Sequence, residues 1–124
     1  MHTPPATKSL QWMASSLDDL REFPRVVQRS VGVALRAAQL GRKHESAKPL
    51  KGFKGAGVLE VVEDHDGNAY RVVYTVRFSG NVYVLHVFQK KSKRGIATPK
   101  HVMDAVKTRL QAAERHHDER RRKE

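Results

Sequence analysis

The hydrophobic pattern predicts two neighbouring strands in the middle of the chain. Over Tyr70–Phe78, apolar and aromatic residues alternate with other residues, which is the period of a strand with one face on a core. The next run, Val82–Phe88, is apolar on both faces, as in a strand at the centre of a sheet. Ser79-Gly80 between them predicts a hairpin turn. Antiparallel pairing about this turn puts Arg71 roughly opposite residue 88, so that Arg71 and the Lys90-Lys91 pair share one edge of the sheet.

Helical patterns flank this hairpin. Ser15-Ser16 followed by acidic residues predicts the start of a short helix that runs through Phe23. Pro24 suits the first turn of a second helix, Arg25–Leu40, in which apolar residues recur at helical spacing. The stripe that they form consists of Val27, Val31, Ala34, Leu35 and Ala38. A last helix is predicted over Pro99–Ala113.

The remaining patterns complete a small α+β domain. Ser9–Met13 and Val58–Val62 are predicted strands, and residues 41–57 a long loop rich in glycine and lysine. The order predicts a mainly antiparallel sheet of about four strands, with two N-terminal helices and a C-terminal helix. We predict a flexible N-terminus over residues 1–8, a domain over 9–115 and a charged C-terminal tail over 116–124.

The charge balance points to a polyanionic partner. Lysine and arginine total 24 against 13 acidic residues, which gives a net charge of +11, and nucleic acid is the usual partner of such a surface. The chain has no cysteine, which excludes disulfides and thiolate metal sites and favours the cytoplasm. No apolar stretch is long enough to span a membrane, so no membrane partner is predicted.

A cationic cluster follows the second strand of the hairpin. It contains no acidic residue and consists of Lys90, Lys91, Lys93, Arg94 and Lys100. Cations held this close repel one another unless an anion lies between them. With Arg71 nearby, the cluster predicts a site for an RNA phosphate, which a planar guanidinium and flexible ammonium groups would contact. A solvated surface loop is the alternative interpretation.

Other candidate groups carry weaker signals. Lys48, Lys51 and Lys54 in the long loop predict a second RNA-binding element, or else a flexible connector. His86 could act as a general acid or base, but its apolar strand favours a core or edge histidine. For Tyr74, core packing is favoured over base stacking. Asp64-His65-Asp66 precedes Gly67-Asn68 and indicates a turn, so no metal and no cofactor are predicted.

Several of these segments together resemble the HigB-type toxins of the RelE/ParE superfamily. The resemblance covers about residues 9–115 and is carried by LREFP, KPLKGF, YRVVYTVRF and VYVLHVFQKKSKRGIATPK. It implies a RelE-like fold and a ribosome-dependent, metal-independent endoribonuclease that cleaves mRNA in the ribosomal decoding site and so inhibits translation. It also implies a partner, a helix-turn-helix antitoxin of the HigA type.

The resemblance further implies roles for individual residues. Arg71 matches the arginine that contacts the scissile phosphate, and Lys91 matches a second catalytic cation, while Lys51 and Lys54 fall in a region that is basic in such toxins. We expect Lys90 or Lys93, with its pKa lowered by like charges, to be the general base. No tyrosine follows Tyr83, where many relatives carry one that stacks on the base. The rival functions are a ParE-like toxin that poisons gyrase and a non-enzymatic RNA- or ribosome-binding module.

Overall fold

The computed structural model describes residues 7–53, 55, 57–91 and 99–123, except the side chains of residues 90 and 91. Five strands and three helices lie within these residues. In chain order they are β1 (Ser9–Trp12), α1 (Ser16–Arg21), α2 (Arg25–Gln39), β2 (Ala47–Pro49), β3 (Val58–His65), β4 (Asn68–Thr75), β5 (Asn81–Lys91) and α3 (Lys100–Lys123). The predicted α+β class is confirmed.

The sheet is larger than predicted and is mixed. Its strand order is β1-β5-β4-β3-β2, with β1 parallel to β5 and the other neighbours antiparallel. The additional strand, β2, lies within the predicted loop over residues 41–57. It is only three residues long and ends in Pro49, which is tolerated because β2 is an edge strand. So short a segment has no periodicity for a sequence pattern to reveal.

Helix α2 packs on one face of the sheet through the predicted stripe. All five stripe residues are buried, and the core that they enter includes Val72, Tyr74 and Val84 from the two central strands. Phe23, just before α2, meets Tyr70 edge to face with ring centroids 4.7 Å apart. The second helical prediction is therefore confirmed in both extent and orientation.

Helix α3 packs on the opposite face and continues to Lys123, past the predicted end at Ala113. Two histidines explain the extension. His116 Nδ1 lies 2.9 Å from the Tyr83 hydroxyl, and His117, which is 7% exposed, lies 3.3 Å from the Asn81 amide. The division of the chain at residues 8 and 115 stays a prediction, although α3 runs across its second boundary.

The central hairpin has the predicted register. Arg71 pairs with Phe88 across β4 and β5. The register then shifts, because Val73 pairs with His86 whereas the next residue, Tyr74, pairs with Val84. This bulge leaves His86 on the α3 face of the sheet together with Arg71. At the other end of β4, the Asp66-Gly67 turn has two positive φ angles, 49° and 78°, which confirms a turn there.

Candidate nucleic-acid interface

Arg71 lies on the α3 face of the sheet, in the middle of a row of three residues that sit side by side on neighbouring strands. Its register partners are Val62 on β3 and Phe88 on β5. We call these three residues the Arg71 row. Val62 is 36% exposed, although it is a large apolar residue in a strand. Helix α3 therefore leaves this end of the sheet partly uncovered, and the row presents a cation between an aliphatic and an aromatic side chain.

The guanidinium of Arg71 is held by Glu60. Arg71 Nη1 lies 3.4 Å from both carboxylate oxygens, and the two side chains are only 19% and 15% exposed. Arg71 Nε is buried and has no hydrogen-bond partner among the described residues. The pair thus fixes the direction of the guanidinium but leaves its buried Nε donor without an acceptor among the described residues, which is an unfavourable state for a buried polar group.

His86 extends the row toward helix α3. Its ring stacks on Phe88 with centroids 5.0 Å apart, and Arg109 on α3 contacts its Nδ1 while donating to the Leu85 carbonyl at 3.0 Å. Burial lowers the pKa of His86, and Arg109 and His101 lower it further, against an opposing effect from Asp19.

The tautomer of His86 follows from these contacts. Since Arg109 donates to Nδ1, the neutral ring carries its proton on Nε2. His86 is therefore arranged to donate a hydrogen bond from Nε2 rather than to accept a proton there. This position agrees with the interpretation of His86 as an edge histidine with satisfied contacts, and it adds a donor to the α3 face.

The predicted cationic cluster is described only in part. Lys90 and Lys91 are the last residues of β5, and their backbones pair with Ala69 and Asn68, two and three residues before Arg71. Their side chains lie outside the described part of the structure, as do residues Lys93, Arg94 and Lys54. The predicted roles of all five stay predictions.

The other predicted RNA-binding residues are exposed but do not surround Arg71. Lys48 on β2 pairs with Glu60 on β3, which places it on the α3 face but two strands from Arg71, about 10 Å between backbones. Lys51 lies in the turn after β2, and Lys100 begins α3. The turn approaches α3, because a Cβ atom at Gly52 would lie 3.0 Å from the Met103 methyl group.

Two residues of this interface were not found by sequence reasoning. A signal for Glu60 existed, because the Asp66-Gly67 turn fixes the pairing of β3 with β4 and puts Glu60 diagonally across from Arg71. Arg109 had no such signal, since its contact with His86 depends on how a helix packs on the sheet. The charge of Arg71 alone suggested a free cation, whereas the structure shows an ion pair.

Comparisons with known proteins locate the chain in a family. The model of a family described as phage-derived, Gp49-like proteins matches residues 18–111. This chain belongs to the Gp49-like family. The matched part of the Gp49-like chain contains Glu60, Arg71, His86 and Arg109, and it ends before the two histidines that hold the end of α3.

A solved structure shows a limited similarity to the Gp49-like chain. It is the RelBE2 toxin–antitoxin complex from Mycobacterium tuberculosis, with a TM-score of 0.43, 21% sequence identity and coverage of 70% of this chain and 95% of the other. No curated protein sequence gives a significant match. In the described part of the chain, no helix is long and apolar enough to cross a membrane.

Proposed function

We propose that this Gp49-like protein is the toxin of a type II toxin–antitoxin system and acts as a ribosome-dependent endoribonuclease on mRNA. One observation carries the proposal. The largely buried side chain of Arg71 lies on a partly uncovered region of the sheet, and its cross-strand neighbour is Phe88. Guanidinium groups bind phosphate and aromatic rings stack on bases, so this row has the two contacts that a single-stranded RNA needs. The net charge of +11 and the HigB-like segments support the same conclusion.

The proposed reaction needs no metal. The ribose 2′-hydroxyl attacks the adjacent phosphorus in line, the bond to the 5′-oxygen breaks, and the products carry a 2′,3′-cyclic phosphate and a 5′-hydroxyl. Arg71 and Lys91 stabilise the extra negative charge of the phosphorane. Lys90 or Lys93 accepts the proton of the 2′-hydroxyl, and water supplies a proton to the departing 5′-oxygen.

Two residues whose contacts the structure describes have defined roles in this proposal. Glu60 holds the Arg71 guanidinium in place, but its carboxylate also competes with an incoming phosphate for the same donors. His86 donates from Nε2 to a phosphate oxygen, because Arg109 engages the other ring nitrogen. Lys48, Lys51, Lys54, Arg94 and Lys100 contribute contacts to the RNA strand and strengthen binding without taking part in bond breaking.

The test is primer extension on a defined mRNA in a purified translation system, with and without ribosomes. Arg71→Ala should lower the cleavage rate by about 10²–10³, the usual effect of removing a donor to a transition-state oxyanion. Arg25→Ala is the matched control, because Arg25 is an exposed arginine at the start of α2, the helix that packs on the opposite face of the sheet. Cleavage by Arg71→Ala at the wild-type rate would refute the assignment.

Glu60→Gln should change RNA affinity in the opposite direction to Arg71→Ala. It keeps the size of the side chain but removes the charge that competes with phosphate, so RNA affinity should rise while Arg71→Ala lowers it. A fall in RNA affinity for Glu60→Gln would show that the carboxylate acts mainly to position Arg71. An unchanged RNA affinity in a folded Glu60→Gln variant would instead indicate that the Arg71–Glu60 pair only stabilises the fold.

The partners follow from the same proposal. They are mRNA in the ribosomal decoding site and a HigA-like antitoxin with a helix-turn-helix domain, and the location is the cytoplasm. If purified protein cuts no mRNA but inhibits supercoiling by DNA gyrase, the ParE-like alternative replaces the nuclease. Binding to ribosomes without cleavage or gyrase inhibition would leave the non-enzymatic module.

A further inference from the structure

The outer side of helix α2 carries exposed apolar residues in a regular line. Val26, Val33 and Leu40 are 50%, 60% and 43% exposed, and together they make up three of the four exposed large hydrophobic residues in the described part of the chain. Leu40 is the C-cap of α2. They lie on the side of the helix opposite the buried stripe, with Arg29 and Arg36 between them. We call these five residues the outer stripe.

The spacing of the outer stripe is that of a helix–helix contact. Successive members are three, four, three and four residues apart, which is the a and d spacing of a heptad. Valine is a poor residue for an exposed helix position, since it loses side-chain freedom there and gains no burial. The stripe therefore has a feature that folding of the chain alone does not explain.

The charges of α2 restrict what can cover the stripe. Arg25–Gln39 contains three arginines and no acidic residue. A second copy packed stripe to stripe would put four arginines into the contact with no acidic residue of α2 to pair them. In a parallel pair they would face one another and repel, and in an antiparallel pair they would face aliphatic side chains. The acidic residues of α3 lie on a helix packed on the opposite face of the sheet and do not reach this stripe.

We propose that the outer stripe is a docking surface for an acidic amphipathic helix of a partner protein. The partner helix presents apolar residues opposite Val26, Val33 and Leu40, and Glu or Asp in the layers between them. A parallel partner needs its apolar residues at the a positions and its acidic residues at d, and an antiparallel partner needs the reverse. The inference concerns a surface separate from the Arg71 row and does not rest on nuclease activity.

RNA is the competing occupant of a cationic surface. The outer stripe fits it less well, because its exposed residues between the arginines are aliphatic and offer neither aromatic rings for stacking nor further hydrogen-bond donors. The stripe spans about 21 Å along the helix axis, which corresponds to two heptads of a partner helix. A partner helix of that length can place apolar and acidic side chains alternately against the apolar and arginine positions of the outer stripe.

The experiment measures binding of a designed peptide to the full chain by fluorescence anisotropy. The probe has three repeats of Leu-x-x-Glu-x-x-x with Ala and Gln at the other positions, and the control peptide has Lys in place of Glu. We expect the wild-type protein to bind the Glu peptide at least tenfold more tightly than the Lys peptide. The double variant Arg29→Glu with Arg36→Glu should reverse this preference.

Two further variants separate specific docking from attraction to a basic protein. Val26→Ser with Val33→Ser should weaken binding of the Glu peptide at least fivefold without changing charge. Lys107→Glu with Arg115→Glu, two exposed positions on α3, makes the same charge change as the arginine pair and should keep the wild-type preference. Circular dichroism checks that each variant keeps its helices, and the serine pair carries the test if the charge reversal disturbs folding.

Five outcomes would overturn the proposal. The first four are equal affinity for the two peptides, loss of preference in the α3 control variant, no effect of the serine pair, and a concentration-dependent dimer that Val33→Ser abolishes. A fifth is binding of a 20-nucleotide RNA that falls with the arginine reversal while the Glu peptide does not bind, since the stripe would then be an RNA contact.

Discussion

Both faces of the sheet bury apolar side chains, but they differ in their polar groups. The face under α2 is packed with aliphatic and aromatic residues, and the buried hydroxyl of Tyr74 on this face has no hydrogen-bond partner among the described residues. The face under α3 contains the Arg71–Glu60 ion pair, the His86–Arg109 contact and the two histidines that anchor the end of α3. The second face is partly uncovered at the end that carries Val62.

This difference shows how the fold separates stability from chemistry. Helix α2 contributes a continuous apolar stripe, and burial of such side chains is the main favourable term in folding. Helix α3 leaves room for charged groups that keep partners and some solvent access, which a binding surface requires. We therefore expect substitutions on the α2 side to lower mainly the free energy of unfolding, and those on the open α3 side to change mainly RNA binding and cleavage.

The largest effect should come from matched leucine truncations on the two helices. Leu35 on α2 is 2% exposed, whereas Leu110 on α3 is only partly buried. Leu35→Ala should lower the free energy of unfolding by about 3 kcal/mol, because it removes buried methyl groups and leaves a cavity. Leu110→Ala should cost about 1 kcal/mol, since part of its surface is already in water. Urea unfolding followed by circular dichroism measures both, and equal losses would contradict the comparison.

Alkaline pH should lower the free energy of unfolding, because Tyr74 is buried on the α2 face. Burial raises the pKa of Tyr74 from 10.0 to about 12, and its hydroxyl has no hydrogen-bond partner among the described residues. Between these values the unfolded chain loses the proton and the folded chain keeps it, so stability falls as the pH rises. The full loss is about 2–3 kcal/mol.

Tyr74→Phe isolates this effect from the titration of other groups. The variant should be about as stable as the wild type at neutral pH, since the removed hydroxyl makes no described hydrogen bond. Above pH 10 it should become the more stable of the two. If the two curves of unfolding free energy stay parallel up to pH 12, Tyr74 ionises as freely in the folded chain as in the unfolded one.

The same comparison explains which parts of the fold could be predicted from the sequence. The α2 stripe is a clear helical period, and the Ser79-Gly80 turn gave the correct pairing of Arg71 with Phe88. β2 was missed because three residues form no period. The end of α3 was missed because its anchor is a contact between His116 and Tyr83, 33 residues apart in the chain.

The site was less predictable than the fold for a physical reason. Residue type and register located Arg71, but whether its charge is free depends on Glu60, which belongs to another strand. The pKa of His86 depends first on its burial and then on Arg109, and both result from the packing of helices on the sheet. Electrostatic interactions of this kind depend on distances across elements, and a pattern along the chain does not contain them.

The smallest expected effect is an acid-side loss of stability from His86. Its pKa lies below the ordinary value of 6.5, mainly because of burial and then because of Arg109. As the pH falls below 6.5, the unfolded chain takes up a proton that the folded chain resists, so the stability present above this pH declines. His86→Gln should remove this part of the slope between pH 7 and pH 5. Asp19 opposes the shift, so Asp19→Asn should make the slope steeper; an unchanged slope in both variants would mean that His86 titrates alike in the folded and unfolded chains.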